Sequence, residues 1–273
     1  MAISNSDFQY VSNLARSQAA IMLEPGKEYL VESRLGPLAL REGFESLAAL
    51  IQKMRSEAGI SGLHHKAIDA LTTNETLFFR DFVPFEALRK VILPKLLETR
   101  GALRQLNIWS AACSTGQEPY SLAMLIREHF PQVHDWHINI LATDLSPTVL
   151  KAAAEGSYSQ FEVNRGLPAS YLVKYFSMVG EKWVIKDEIK KMIQFKPMNL
   201  IQSWPMMLPF DLVFIRNVMI YFDVETKKTI LKKIRACMLP HSHLFLGTAE
   251  TTMNIDEMFV AETVDKTVAY RLA

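Results

Sequence analysis

Residues 106–124, LNIWSAACSTGQEPYSLAM, constrain the fold more than any other stretch of the chain. Residues 106–109 are largely apolar and run on without a polar break, as a buried parallel strand does. Residues 111–116 carry only small side chains. Gln117, Glu118 and Pro119 then open an amphipathic helix, and Pro119 suits a first helical turn, where its missing N–H costs nothing. Strand, small-residue turn and helix together are how an α/β protein brings a ligand up to backbone at a helix N-terminus.

The same stretch narrows the ligand. A dinucleotide loop of the usual kind has three glycines, whereas this one has Gly116 alone, with alanines and Ser114 in the other places. No P-loop lysine follows, which argues against a nucleoside triphosphate. Glu118, just past the turn, would repel a pyrophosphate and suits a neutral or cationic ligand bearing hydroxyls. Read alone, the stretch also fits a tight turn that binds nothing. Residues 137–142 (HINILA) form a second strand that ends at Thr143-Asp144. An acid there holds a ribose diol in this type of fold. By itself Asp144 is a turn or capping acid; at a βαβ spacing from the first turn it reads as a ligand residue. Ser146 and Pro147 cap the next helix.

Composition removes several classes of function. The net charge of +1 offers no bulk field for nucleic acid or membrane, so charge-based recognition requires a local patch. Two cysteines, Cys113 and Cys237, do not make a disulfide scaffold. No apolar run approaches the roughly 20 residues of a membrane span, and no secretory signal stands out. The cytoplasm is the expected compartment, with no insertion into the membrane. The seven histidines fall in no metal-ligand spacing, so no metal is expected. Cys113, at a helix N-terminus, reads as a small turn residue ahead of a nucleophile.

Residues 1 to about 70 carry helical periodicity and no strand pattern. Phe8, Val11, Leu14 and Ala15 mark a first helix, and Pro25-Gly26 breaks the chain. A second, through Tyr29, Leu30 and Ser33, is expected to end near Gly36-Pro37. Leu47, Leu50, Ile51 and Met54 share one face of a third, and Leu63, Ala67 and Leu71 belong to a fourth. TNETLFFRD, residues 73–81, reads as a cap leading into a helix over 82–97. After Asp144 the helix over 147–155 stops at Gly156, a C-cap residue. Residues 157–192 depart from βαβ alternation, with a strand expected over 158–163, a helix over 168–176 and a short strand over 183–185. Residues 193–198 return to the main sheet, and FDLVFI at 210–215 suits a central strand. Asp223 caps a helix that buries Ile230, Leu231, Ile234 and Met238. A strand over 243–247 follows, and 258–272 reads as a hairpin that breaks near Val264-Asp265.

SAACSTGQEPYSLAM, with TNETLFFRD before it and ATDLS and FIRNVMIYF after it, resembles the chemotaxis receptor methyltransferase (CheR) family over nearly the whole chain and in matching order. The resemblance implies an S-adenosylmethionine-dependent methyltransferase fold: a Rossmann-like α/β sheet with a C-terminal antiparallel hairpin. It implies an all-helical N-terminal domain at 1–72 and a methyltransferase domain at 73–273, with a small antiparallel β insertion at 157–192. The implied reaction moves a methyl group from S-adenosylmethionine to receptor glutamates, giving glutamate methyl esters and S-adenosylhomocysteine. Asn74, Thr76, Arg80, Glu118, Asp144, Asn199, Leu200, Arg216 and Asn217 are then expected to contact the donor. Asp144 suits the ribose hydroxyls, Glu118 the ammonium group, and Asn199 and Leu200 the adenine end.

Arg80 and Tyr221 are the residues expected beside the reacting methyl. A guanidinium orients both oxygens of an accepting carboxylate, which lysine does not do with the same geometry. Tyr221 alone reads equally as a core aromatic. In the family a basic helix of the N-terminal domain faces the acidic receptor, and Lys27, Arg34 and Arg41 match it in position and charge. By composition alone these three are a solvated face. Family members that grip a tethering peptide at the receptor's end have a longer, Gly-rich turn in the insertion. The turn at residues 178–182 is short, so tether-independent recognition is expected. Three other readings fit less well. A methyltransferase for a small-molecule carboxylate leaves the helical domain and the insertion without purpose. A non-catalytic binding module does not need Arg80 and Tyr221 together. A nicotinamide dehydrogenase lacks its glycines.

Overall fold

A computed structural model describes residues 3–273. Four helices open the chain: α1 (Asn5–Ala19), α2 (Glu28–Arg41), α3 (Leu47–Ser56) and α4 (Gly62–Leu71). Ser4, Ser46 and Ser61 cap α1, α3 and α4 by accepting a backbone N–H in the first turn. Their apolar faces meet in a core of Phe8, Val11, Leu35, Leu38, Leu50, Ile51 and Met54. Gly36-Pro37 does not end α2, contrary to the sequence expectation. Val31, Leu35, Leu38 and Ala39 bury one face that continues across the break. Burying the leucines, at about 1.5–3 kcal/mol each, offsets an interior proline's cost of about 3 kcal/mol.

Residues 72–82 lead into one long helical run: α5 (Val83–Ala87), a π-helical turn at Leu88–Ile92, and α6 (Leu93–Arg100). The expected helix over 82–97 is therefore present, with its hydrogen-bond ladder widened just before Pro94. Pro94 has no N–H for that ladder.

The main sheet is built from β1 (Gln105–Ala111), β2 (His137–Asp144), β6 (Ile193–Pro197), β7 (Phe210–Ile215), β8 (Met238–Leu246), β9 (Phe259–Val264) and β10 (Thr267–Leu272). Its order is β6-β2-β1-β7-β8-β10-β9. The first five strands run parallel, and β10 is antiparallel to both β8 and β9. The strand expected over 243–247 begins earlier, at Met238. Period-two alternation sends Leu106, Ile108, Leu212 and Phe214 to one face and Trp109, Ala111, Val213 and Ile215 to the other. Both faces are covered, on one side by α7 (Gln117–His129) and on the other by α12 (Val224–Ala236).

Between α8 (Pro147–Glu155) and β6 lies the insertion. It holds β3 (Ser157–Tyr158), α9 (Gln160–Val163), α10 (Ala169–Tyr175), β4 (Phe176–Val179), β5 (Lys182–Ile185) and α11 (Asp187–Lys190), with an antiparallel sheet in the order β3-β5-β4. A strand over 158–163 is not formed. Ser159 accepts the Glu162 N–H at 3.3 Å, and the Glu162 carboxylate accepts the Ser159 N–H at 2.8 Å. That reciprocal cap starts a helix where the apolar residues alone suggested a strand. The β4–β5 hairpin pairs Val179 with Lys182, leaving Gly180-Glu181 as its turn.

Candidate active site at the carboxyl ends of the parallel strands

β1, β2 and β7 end together, and a cavity of about 230 Å³ opens beyond them. The turn after β1 forms its floor. Ala112 and Ser114 stand in the left-handed region at φ 53° and 51°, and Gly116 at 93°. Small side chains make that path affordable. A Cβ on Gly116 would lie 3.0 Å from Ala153 and 3.2 Å from the Tyr158 hydroxyl, so a larger residue there would be both crowded and strained at this positive φ. Tyr158, from the insertion, donates to the Thr115 carbonyl at 2.7 Å. The Ser114 hydroxyl donates to the Asn74 carbonyl at 2.7 Å and so ties the floor to the interdomain linker.

Asp144, the last residue of β2, is buried. One carboxylate oxygen accepts the Ser114 N–H at 2.8 Å and the other the Ser146 N–H at 2.9 Å. Burial pushes its pKa up, and these backbone N–H groups oppose the rise. The acid is thus oriented between the turn after β1 and the start of α8, facing the cavity.

Glu118, in the first turn of α7, accepts from the Ser110 hydroxyl at 2.8 Å and from Arg216 at 3.0 Å. Arg216 follows β7, and its side chain is 1% exposed. It also donates to Asp81 at 2.6 Å and to the Arg80 carbonyl at 3.0 Å. The guanidinium carbon lies 5.9 Å from the centre of the Phe85 ring. One buried cation therefore joins α7, the end of β7 and the 79–82 run, where Phe79, Asp81 and Phe82 all have positive φ. Arg80 itself donates to the Glu75 carbonyl at 3.1 Å and lines the cavity.

The remaining walls come from three places. Asn199 donates its side-chain amide to the Gln18 carbonyl of α1 at 2.7 Å, and buried Leu200 follows it. Asn217 has φ 59°, and Tyr221 ends a 3-10 turn at Met219–Tyr221. The helical domain closes the third side with Ile21, Met22, Leu23, Lys27, Leu30 and Arg34. Asn74, Thr76, Arg80, Glu118, Asp144, Asn199, Leu200, Arg216, Asn217 and Tyr221 all line this one cavity. Among the described residues, no group of three or more His, Cys, Asp or Glu side chains is arranged to hold a metal.

Two family models cover this chain: "CheR methyltransferase, SAM binding domain" over residues 74–268 and "CheR methyltransferase, all-alpha domain" over 6–72. The chain belongs to the CheR methyltransferase family. Chemotaxis protein methyltransferase 1 of Pseudomonas aeruginosa is 40% identical, with 99% of each chain covered. Chemotaxis protein methyltransferase Cher2 of Pseudomonas putida is 38% identical over 95% of each. A chemotaxis protein methyltransferase of Vibrio parahaemolyticus is 35% identical over 100% of this chain and 98% of the relative.

Like the family, the chain is an S-adenosylmethionine-dependent methyltransferase on a mixed α/β sheet with C-terminal antiparallel strands and a helical N-terminal domain. The CheR cavity suits that cofactor: a buried acid with oriented oxygens, a carboxylate for a cation, and apolar walls at Met198 and Leu200. Cys113 is buried, and burial raises its thiol well above the ordinary range, so it is no nucleophile at neutral pH.

Two of the basic residues expected on an outward face contribute elsewhere. Arg34 donates to the Leu71 and Thr72 carbonyls and, at 3.0 Å, to the Thr73 hydroxyl, fastening α2 to the linker. Lys27 pairs with Glu24 at 3.2 Å at the cavity rim. Arg41, the last residue of α2, is exposed. Asp81 and the linker-gripping role of Arg34 escaped the sequence reading. Asp81 stood beside Arg80 as a signal, whereas nothing local marks Arg34.

Proposed function

We propose that this chain transfers the methyl group of S-adenosylmethionine to the γ-carboxylate of glutamates in the methylation regions of chemoreceptor cytoplasmic domains. The supporting observation is convergence: ten side chains, spread from Asn74 to Tyr221, line a single cavity. S-adenosylmethionine supplies an electrophilic methyl group on a sulfonium. An ionised glutamate is itself the nucleophile, so the protein needs no strong base. Positioning then carries most of the acceleration, worth about 7–11 kcal/mol when it is good.

In this reading Asp144 holds the ribose hydroxyls with oxygens already oriented by the Ser114 and Ser146 amides. Glu118 holds the ammonium group, and Arg216, behind it, sets its direction rather than meeting the ligand head-on. Asn199 and Leu200 flank the adenine, while Asn74, Thr76 and Asn217 complete the donor contacts. Arg80 aligns the accepting carboxylate, and Tyr221 stands on the same side. Residues 1–72 and 73–273 act as two domains around this site. No helix among the described residues is long and apolar enough to cross a membrane, and a cytoplasmic enzyme meeting receptors at their cytoplasmic domains is consistent with that.

Radiolabelled methyl incorporation into receptor-enriched membranes, released as methanol by base, tests the reading. Wild type is expected to label them. Arg80→Ala is expected to abolish labelling while keeping the fold and most of the affinity for S-adenosylhomocysteine. Labelling near wild type in the variant would make Arg80 structural.

A further inference from the structure

The turn that carries Arg216, Asn217 and Tyr221 follows β7 without regular strand or α-helical pairing, and Asn217 holds a left-handed backbone. Something must keep it in place. After β8 the chain doubles back, with the Glu250 N–H donating to the Gly247 carbonyl at 2.9 Å. This return brings the Glu250 carboxylate onto the turn. One of its oxygens accepts the Asn217 N–H at 2.8 Å and the Gly247 N–H at 2.6 Å; the other accepts the Ile220 N–H at 3.2 Å. Three backbone donors on one carboxylate are charge-assisted, and they grip the turn on both sides of Val218-Met219. Gly247 completes the clip. A Cβ there would sit 2.7 Å from the Glu250 oxygen and 2.8 Å from both Asn217 nitrogens.

We propose that Glu250 is a positioning residue: clipped by Gly247, it fixes the turn that aims Asn217 at the donor and Tyr221 at the reacting methyl. Glu250 is not among the cavity-lining residues and acts through the two that are. The proposal rests on the reading in which those two face donor and acceptor. Glu250→Gln keeps the volume but replaces one acceptor oxygen with a donor amide facing backbone N–H groups. Gly247→Ala pries the same clip open from the other side and leaves the carboxylate intact.

The test measures S-adenosylhomocysteine affinity and stoichiometry by calorimetry, and methyl transfer per binding-competent site. Both variants are expected to bind one ligand per chain, more weakly, and to lose about 100-fold in kcat, the scale of a small misplacement at a reacting centre. Combining Glu250→Gln with Asn217→Gly, which preserves the left-handed backbone, should weaken ligand binding by less than the sum of the single changes. This binding cycle needs no receptor, so it separates the clip from the choice of acceptor. Additive losses, wild-type rates in both variants, or a reduced stoichiometry with unchanged kcat per site would each overturn the proposal. Wild-type enzyme that binds the ligand but labels no receptor would instead overturn the assigned substrate, with the binding cycle still deciding the clip.

Discussion

Asp144 meets opposing demands. Burial works against its charge and raises its pKa, while the Ser114 and Ser146 amides oppose that rise and set its direction from behind. Asp144→Asn keeps one acceptor and loses the charge. Affinity for S-adenosylhomocysteine, followed by calorimetry, should fall by about 1–3 kcal/mol; wild-type affinity would remove Asp144 from the ligand site. His243 shows the reverse case. Its Nδ1 is buried without a partner, and burial lowers its pKa from 6.5 to about 4 even with Glu262 3.9 Å away; Arg271, Lys95 and His241 add to the lowering. The unfolded chain therefore takes up a proton that the folded chain refuses between those two values. Stability should rise with pH across that window and be lost as pH falls through it. Urea unfolding between about pH 4.5 and 7 should show the slope, and His243→Gln should flatten it. An unchanged slope in the variant would assign the acid sensitivity to other groups.

At the scale of elements, the strained 79–82 run, the start of α7 and the end of β7 have one buried cation in common. Arg216→Ala would leave Glu118, whose side chain is 13% exposed, facing the cavity without its counter-charge, and would release Asp81 as well. Breaking a buried pair in this way costs about 3–5 kcal/mol. Thermal denaturation should show that loss together with weakened ligand binding. Arg216→Lys keeps the charge but cannot reach Glu118, Asp81 and the Arg80 carbonyl at once, and should fall between the two. A melting temperature unchanged in Arg216→Ala would mean that the run holds its backbone without the ion pair.

Across the whole molecule, the helical domain is a wall of the site. Gln18 meets Asn199, Thr148 donates to Asp69 at 2.6 Å, and Arg34 ties α2 to the linker. Arg34→Ala should therefore disturb the site directly, whereas Arg41→Ala should touch only encounter with an acidic partner. Exposed charges are screened over about 8–10 Å at physiological salt. The methylation rate should fall with rising ionic strength, and less steeply in Arg41→Ala. With a Gly180-Glu181 turn closing the insertion hairpin, receptors lacking their last residues should be methylated as well as intact ones. A rate indifferent to salt, or tight binding to an isolated receptor C-terminal peptide, would refute direct recognition.

Much of this architecture was legible because it is written in local period and punctuation. Apolar runs at 106–109 and 210–215 became strands buried on both faces, and Ser146-Pro147, Gly156 and Asp223 start or stop helices where expected. Four motifs in order sufficed to name the family and ten of the residues that line the cavity. Where local signals competed, packing decided one case and a stronger local signal the other. Gly36-Pro37 did not end α2, because Leu38 and Ala39 lie in the core beyond it. Residues 158–163 read as a strand until the Ser159–Glu162 cap prevailed. The sequence by itself determined which residues carry charge, strand period and small side chains near the turn. Only the tertiary structure decided that Arg34 grips the linker, that Arg216 pairs with Glu118, and that Glu250 grips Asn217. Each of those contacts joins parts of the chain whose nearness depends on the completed sheet and the docked helical domain, and residue spacing carries no record of that.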